Sequence, residues 1–346
     1  MKRVLLGMSG GVDSSVAAII LKEQGYEIIG ITMKLYEKEN NCSTSTDSDA
    51  KMVCDKLGIQ HYTLNFEEEF NKHVIQNFVC EYENARTPNP CVECNKYLKF
   101  GLMYKKALEL GCNYIATGHY AKIEYAEKFN QYVIKKSDEE NKDQTYFLYG
   151  IPREALSHIL FPLQNLKTKQ ETRKIAEEYG MNIAHKKDSQ EICFIENDDY
   201  KSFLKKYIKE KPGNIVLQNG QILGKHEGLT KYTIGQRKGL GISYKEPLYV
   251  VNLDKEKNEV VVGTEKQLYS KDLYANGLNW LVFDKLQEEI KCYAKIRYRA
   301  KAAKAKIIPM EDKIKVEFEE PQRAITKGQS VVFYDNDILL GGGKII

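Results

Sequence analysis

The chain has 346 residues, with 52 Lys and Arg against 48 Asp and Glu and 42% hydrophobic residues. At roughly 150 residues per domain this length suggests two or three domains, and the balance is that of a globular chain, not a disordered one. The net charge of +4 is too small to mark a nucleic-acid binder by itself, and the longest aliphatic run near the start, Val16 to Leu21, falls far short of the about 20 apolar residues that a membrane span needs.

Lys2 and Arg3 ahead of Val4–Met8 resemble the opening of a signal peptide, but Ser9-Gly10-Gly11 and Asp13 break the apolar run too early. A cytoplasmic location with no membrane partner is the expectation. The eight cysteines are too few for a disulfide scaffold in so long a chain. In a reducing compartment they are buried, metal-bound or reactive.

The first two hundred residues alternate strands and helices. Val4–Met8 reads as a strand, Ser14–Gln24 as a helix closed by Gly25, and Glu27–Leu35 as a second strand. Asp49–Leu57 is helical and His61–Phe66 is a third strand. Phe70–Tyr82 and Tyr97–Leu110 are helices, and Tyr114–Thr117 is a fourth strand. This order predicts an α/β domain with a parallel sheet between helices, whose ligands bind beyond the carboxyl ends of the strands. After Asp198 come a helix over Tyr200–Ile208, Pro212-Gly213, and then short strands with Gly turns. The strands are Ile215–Leu217, Gln221–Leu223, Leu248–Leu253 and Glu259–Val262, followed by Ile290–Arg299, Ala305–Ile308, Lys313–Phe318 and Ser330–Tyr334. Their spacing suggests antiparallel small barrels. The expected division is 1–198 for the α/β domain, 199–273 for a central small β domain and 274–346 for a C-terminal β-barrel.

Ser9-Gly10-Gly11-Val12-Asp13-Ser14-Ser15 joins the first strand to the first helix. Two glycines let backbone approach an anion, helix amides face it, and a serine hydroxyl adds a donor. The Gly-Lys-Ser/Thr of a Walker loop is missing, so no lysine is placed for a γ-phosphate. Thr87-Pro88-Asn89-Pro90-Cys91-Val92-Glu93-Cys94-Asn95 is stiffened by two prolines. It places Cys94 just before the predicted helix, where the helix dipole would favour the thiolate. Cys91-x-x-Cys94 alone fits a zinc half-site, a redox pair or an iron–sulfur ligand pair, and no second pair completes a zinc site. Cys193 alone reads as a buried core residue. His119 and Met33 read first as structural, although Met33 ends a strand where adenine would pack and Gly118 lies beyond the fourth strand. Lys142–Tyr146 is a polar run entering an aromatic strand. Cys42, Cys54, Cys80, Cys112 and Cys292 read as structural. From Lys291 to Ile308 there are seven basic residues and no acidic one. Strand alternation would set Lys295, Arg297, Arg299 and Lys301 on one face, suited to a phosphate backbone.

The loop S-G-G-x-D-S resembles that of ATP pyrophosphatases. The ordered set SGGVDSS (Ser9–Ser15), TPNPCVECN (Thr87–Asn95), ATGHY (Ala116–Tyr120), KDQTYF (Lys142–Phe147), KDSQEICF (Lys187–Phe194), YTIGQRKGLG (Tyr232–Gly241), IRYR (Ile296–Arg299) and LGGG (Leu340–Gly343) resembles the MnmA/TrmU family of tRNA-specific 2-thiouridylases. The resemblance implies an N-terminal adenine nucleotide alpha hydrolase-like domain before two small β domains. It implies ATP contacts at Gly7, Met8, Ser9, Gly10, Gly11, Val12, Asp13, Ser14, Met33 and Gly118, with magnesium near Asp13. It implies Cys94 as nucleophile and Cys193 as persulfide carrier. It implies tRNA contacts at Asn89, Pro90, Cys91, Lys142, Asp143, Gln144, Arg297 and Tyr298.

The implied reaction is adenylation of the C2 oxygen of the wobble uridine, then sulfur transfer from a persulfide closed by a Cys94–Cys193 disulfide. Its partners are tRNA and a persulfide donor such as a cysteine desulfurase or a relay protein. One position departs, because Cys91 stands where family members often carry Asp. Three cysteines therefore also suit a second route, a [4Fe–4S] cluster on Cys91, Cys94 and Cys193 with one open iron; the persulfide route is favoured. An amidotransferase-type synthetase would explain Ser9–Ser15 but not the paired cysteine sites. A non-catalytic RNA-binding protein would not keep Asp13 and Ser14.

Overall fold

A computed structural model describes residues 1–36, 43–139, 141–184, 192–195, 197 and 199–346, and the side chains of all of these except 43–46. Cys42, Lys187–Glu191 and Asp198 lie outside the described residues. Alternation of apolar strands with helices produces β1 (Arg3–Gly7), α1 (Val12–Glu23), β2 (Glu27–Lys34), α2 (Ser43–Leu57) and β3 (Gln60–Asn65). The next helix runs from α3 (Glu67–Phe70) through a π segment (Asn71–Ile75) into α4 (Gln76–Glu83). A second interrupted helix joins α5 (Pro90–Cys94), a π segment (Asn95–Leu102) and α6 (Met103–Glu109). It begins at Pro90, not at Tyr97, because a proline at the first helical position has its φ preset and forfeits an amide that has no intrahelical partner anyway.

After β4 (Tyr114–Ala116) the chain makes a hairpin, β5 (Lys122–Ala126) with β6 (Gln131–Lys135), before β7 (Ile159–Leu160) and α7 (Lys169–Glu178). The first sheet has the order β3-β2-β1-β4-β7 and every pairing in it is parallel. The chain leaves β1 to one side through β2 and β3, then returns to β4 on the other. The crevice between β1 and β4 is therefore the topological switch point, where open α/β sheets bind ligands.

Past α8 (Tyr200–Lys205), strands β8 (Gly213–Leu217), β9 (Ile222–His226), β10 (Tyr249–Asp254) and β11 (Glu259–Gly263) form a four-stranded sheet ordered β10-β11-β8-β9. The spacing suggests antiparallel pairing throughout, but β11 lies parallel to β8. The last strands are β12 (Tyr269–Trp280), β13 (Ile290–Lys295), β14 (Ala303–Pro309), β15 (Ile314–Arg323), β16 (Ser330–Asp335) and β17 (Ile338–Ile345). They run in the order β12-β15-β14-β13-β16-β17, and β12 pairs again with β17 to close a barrel. Closure removes the sheet edges that would otherwise invite aggregation.

The barrel is joined to the α/β part through its own hydrogen bonds. Ile338 of β17 pairs with Lys135 of β6, and Lys136 N donates to Asp337 O at 2.9 Å. Tyr146, Leu148 and Tyr149 share one buried cluster with Leu281, Val332, Tyr334 and Leu339. The glycines of LGGG explain how the surfaces approach so closely. A Cβ on Gly342 would lie 2.7 Å from Tyr149 Cγ, and Gly341, at φ +150°, lies against Trp280. Asn279 Nδ2 donates to Tyr149 O at 2.6 Å and Ile151 O at 2.9 Å. The loop before Cys91 is held by the same barrel: Thr87 N donates to Lys327 O, and Gln329 Nε2 donates to Thr87 O and Pro88 O. Among the described residues no helix is long and apolar enough to cross a membrane.

Candidate active site

The glycine-rich loop occupies the switch point. Met8 N donates to Ile31 O at 2.7 Å and Thr32 Oγ1 donates to Met8 O at 3.1 Å, fixing the loop's first residue to β2. Gly10 turns at φ +65°, which a side chain would resist. Ser14 Oγ accepts from Ser9 N at 3.2 Å and donates to Gly11 O at 3.1 Å, so the loop curls over the start of α1. Gly118 closes the other wall: a Cβ there would lie 2.9 Å from both the Asp13 carbonyl carbon and Ser14 N. Gly7, Met8, Ser9, Gly10, Gly11, Val12, Asp13, Ser14 and Gly118 therefore form one cradle. Met33, the second-last residue of β2, is half-buried against the core on the neighbouring strand.

Asp13 has partners that its own motif does not contain. Its Oδ1 accepts from Lys169 Nζ at 2.6 Å and from the Tyr120 hydroxyl at 2.8 Å. Lys169 comes from the first residue of α7, and the Tyr120 hydroxyl also hydrogen-bonds Thr172 Oγ1 at 2.8 Å on that helix. A lysine far along the chain thus enters the loop that lacks one of its own. Its only sequence signal is a capped helix start, Thr168 followed by Glu171.

The thiols form a second cluster. Cys94 is buried in an apolar group with Phe194, Ile195 and Leu98, and Ile192 packs against that group. Cys91, Cys94 and Cys193 are free thiols. The sequence suggests that the helix dipole favours the Cys94 thiolate, but Cys94 lies inside the helix that starts at Pro90, not ahead of it. Burial pushes its thiol up, with a smaller downward pull from the Lys99 ammonium. Burial raises Cys91 in the same way, with Lys99 pulling down. Cys193 is pushed up to about 12, first by burial and then by the nearby Cys94 and Cys91. Cys91 and Cys193 still keep exposed surface, so they are crowded by protein yet open to a reaction partner.

Lys99 reaches this cluster because of the π segment. Bonding from i to i+5 puts Cys94 and Lys99 on one face, where regular α-helix would turn Lys99 away. Among the described residues no carboxylate pairs with Lys99. Lys99 also helps hold His119 well below its usual value, after burial, the larger cause. His119 receives or gives a 2.7 Å hydrogen bond with Thr117 Oγ1. Residues 117–119 therefore adjoin the nucleotide loop through Gly118, and Lys99 acts on both His119 and the thiols.

Among the described residues no group of three or more His, Cys, Asp or Glu side chains is arranged to hold a metal. Cys91, Cys94 and Cys193 thus do not form a cluster-binding set in this arrangement.

Of the residues expected to touch RNA, Asn89, Pro90 and Cys91 start α5 at the thiol cluster. Lys142 is half-exposed nearby in sequence, while Gln144 Oε1 accepts from Tyr120 N at 3.0 Å. Asp143 turns inward: it is 6% exposed and accepts from Ser137 N and Thr145 Oγ1. The stretch read as an aromatic strand is a 3₁₀ turn, Thr145–Phe147, whose tyrosine is buried under the barrel. The basic strand ends at Lys295, so Arg297, Arg299 and Lys301 do not alternate on one face. Arg297 instead donates to Ala324 O and Thr326 Oγ1, bracing the barrel. Tyr298 packs against Phe147 with ring centroids 4.5 Å apart and the rings tilted by 40°, and Lys295 lies over its ring. Arg299 and Lys301 remain exposed. Glu93 faces Lys344 of the last strand at 3.7 Å, and the same ammonium lies 3.1 Å from Glu81. The cysteines read as structural divide: Cys54, Cys112 and Cys292 are buried, whereas Cys80 is exposed.

A glycine-rich loop at the switch point of a parallel sheet, in a domain that also carries a cluster of thiols and is backed by a β-barrel, defines an α/β protein of the HUP class. Residues 2–197 match the model described as tRNA methyl transferase HUP domain. Residues 201–264 match the tRNA methyl transferase PRC-barrel domain, and residues 270–345 the Aminomethyltransferase beta-barrel domain. The tRNA-specific 2-thiouridylase MnmA of Clostridium botulinum (strain Alaska E43 / Type E3) is 51% identical, the match covering 99% of this chain and 98% of that one. The tRNA-specific 2-thiouridylase MnmA of Acetivibrio thermocellus is 52% identical, covering 99% of each. The chain belongs to the family of tRNA-specific 2-thiouridylases. Among solved structures, the U34-tRNA thiolase NcsA from Methanococcus maripaludis with its [4Fe-4S] cluster aligns at a TM-score of 0.37 and 18% identity. That alignment covers 59% of this chain and 63% of that one, too loose a likeness to bear on chemistry.

Proposed function

We propose that this chain thiolates the C2 position of the wobble uridine of tRNA in the cytoplasm, consuming ATP and releasing AMP and pyrophosphate as a tRNA-uridine 2-sulfurtransferase. The observation that carries this reading is one ammonium, Lys99, that acts both on His119, next to the Gly118 wall of the glycine loop, and on all three thiols. This supports a nucleotide loop and sulfur-delivering thiols that serve one site. ATP occupies the switch point with its phosphates on residues 7–14 and its base toward Met33, and Asp13 holds the accompanying magnesium. The target base leaves its stack to reach the α-phosphate.

Adenylation turns the poor oxygen leaving group at C2 into AMP. The terminal sulfur of a persulfide on Cys193, loaded by a desulfurase or relay protein, then attacks C2, and AMP departs. The Cys94 thiolate attacks Cys193 Sγ, breaking the S–S bond; its electron pair stays with the sulfur on C2, and a Cys94–Cys193 disulfide remains for an external thiol to reduce. Packing of residues 192–195 against the Cys94 helix supports this pairing. Asn89, Pro90, Cys91, Lys142, Gln144 and Tyr298 line the approach for the RNA, and Arg299 with Lys301 grips its backbone. The division at residues 198 and 273 remains our reading of the domain limits.

The test is mass spectrometry of tRNA nucleosides after incubation with ATP and a persulfide donor under anaerobic conditions. We expect 2-thiouridine in amounts matching AMP. Release of ADP and phosphate, or AMP formation with no thiolated nucleoside, refutes the reading. Cys91→Ser measured the same way separates the sulfur routes: the persulfide route predicts retained thiolation, while loss of thiolation together with bound iron would establish the cluster route.

A further inference from the structure

We infer that Lys169 is the phosphate-binding lysine of the nucleotide site, standing in for the one that the Ser9–Ser15 loop lacks. This rests on the reading of that loop as an ATP site. The ammonium is nearly enclosed, with a side chain 10% exposed, and it is paired with Asp13, 32% exposed, at 2.6 Å. A buried ammonium needs an anion, and a buried carboxylate needs a cation or donors. In the nucleotide-free protein the two are paired with each other. Tyr120 fixes the geometry: its hydroxyl donates to the same Asp13 oxygen and bonds Thr172, and its ring lies 5.7 Å below the ammonium. Thr168 caps α7 by accepting from Glu171 N, so the lysine starts from a rigid helix end.

Asp13 sits on the first turn of α1, next to the loop amides that would receive phosphate. A polyphosphate entering this cradle brings anionic oxygens to the ammonium and a metal cation to the carboxylate. The two side chains therefore exchange each other for nucleotide partners. Lys169 moves to the β- and γ-phosphate oxygens, and Asp13 is released toward the metal. In the adenylation step the uracil O2 bonds to the α-phosphorus as the bond to the α–β bridging oxygen breaks. The electron pair leaves on pyrophosphate, and the N3 proton of the uracil is lost to water. Negative charge grows on the leaving group, where Lys169 stands, so it stabilises the transition state more than the ground state. AMP has no β- or γ-phosphate and draws nothing from this residue.

The experiment compares ATP, AMP and pyrophosphate binding by calorimetry in the full-length protein, for the wild type and for Lys169→Met and Lys169→Arg, with pyrophosphate release followed in parallel. Lys169→Met should weaken ATP and pyrophosphate at least tenfold, leave AMP within twofold, and slow pyrophosphate release at least a hundredfold. Lys169→Arg should recover most of the binding. Should Lys169→Met fail to fold, Asp13→Asn/Lys169→Met leaves neither charge unpaired and takes its place, compared with Asp13→Asn in EDTA, where metal binding plays no part. Equal loss of ATP and AMP, or ATP binding like that of the wild type, overturns the inference. A wild type that binds no ATP, or makes ADP, overturns the underlying ATP-site reading instead.

Discussion

Gly118→Ala isolates the contact between the nucleotide loop and the wall that faces it. The new methyl would lie 2.9 Å from the Asp13 carbonyl carbon and from Ser14 N, and 3.1 Å from Asp13 Cβ. Comfortable contacts between such atoms are about 3.5–4.0 Å, so the walls must part by roughly 0.6–1 Å. The obstructing atoms are mostly backbone and cannot swing aside as a side chain would. Overpacking of this kind costs about 1–3 kcal/mol, and a displacement near 1 Å in a reacting site costs on the order of a hundredfold in rate. The variant should therefore fold, lose about 1–3 kcal/mol in urea titration, and lose roughly 30- to 100-fold in kcat/KM for ATP, with tRNA affinity unchanged. Activity within threefold of wild type alongside the expected stability loss would show that Gly118 does not set the register of the loop.

Lys99→Met should shift alkylation of Cys94 by iodoacetamide to higher pH, because the ammonium that favours the thiolate is removed while the burial that opposes it remains; an unmoved pH profile would remove Lys99 from the thiol site. His119 is held neutral by burial, so the unfolded chain binds the proton that the folded one refuses. Its contribution is complete above the unfolded value of 6.5 and is lost as pH falls below it. His119→Gln should flatten the decline in unfolding free energy between about pH 6.5 and 5 by up to about 1.4 kcal/mol per pH unit, as read by urea titration at each pH. Arg299→Ala should reduce the slope of log K against log salt for tRNA by about 0.7–0.9 without lowering stability. Arg297→Ala should lower the melting temperature as well, since Arg297 braces Ala324 and Thr326.

The α/β half was legible because hydrophobic periodicity and glycine stops are local signals, and the switch-point loop followed from element order alone. What escaped depended on contacts distant in sequence or on backbone forms without a compositional signature. The π segment at Asn95–Leu102 looks like ordinary helix, yet it turns Lys99 toward the thiols. Placing the helix start at Tyr97 reversed the sign of the effect on Cys94, because a thiol within the helix feels its burial before any dipole. Thr145–Phe147 reads as a strand from its aromatic residues, but those rings serve the barrel packing. The alternation of basic residues through Arg299 suggests a longer strand, but the strand stops at Lys295. Lys169 had no visible reason to matter until α7 was packed against α1.

The β6–β17 pairing and the grip of Lys327 and Gln329 on the loop before Cys91 have a mechanical consequence. The barrel cannot serve as an arm that reaches for RNA and then swings home, since its last strand pairs with β6 and Lys327 and Gln329 hold the loop before Cys91 by hydrogen bonds. It works as a fixed gauge whose distance from the thiols is built into the strand register. On the proposed reaction, a tRNA held against it would itself have to deform to present the base. Transplanting a foreign barrel would upset the chemistry even if its grip on RNA were perfect, because the jig that sets the loop would leave with the old one.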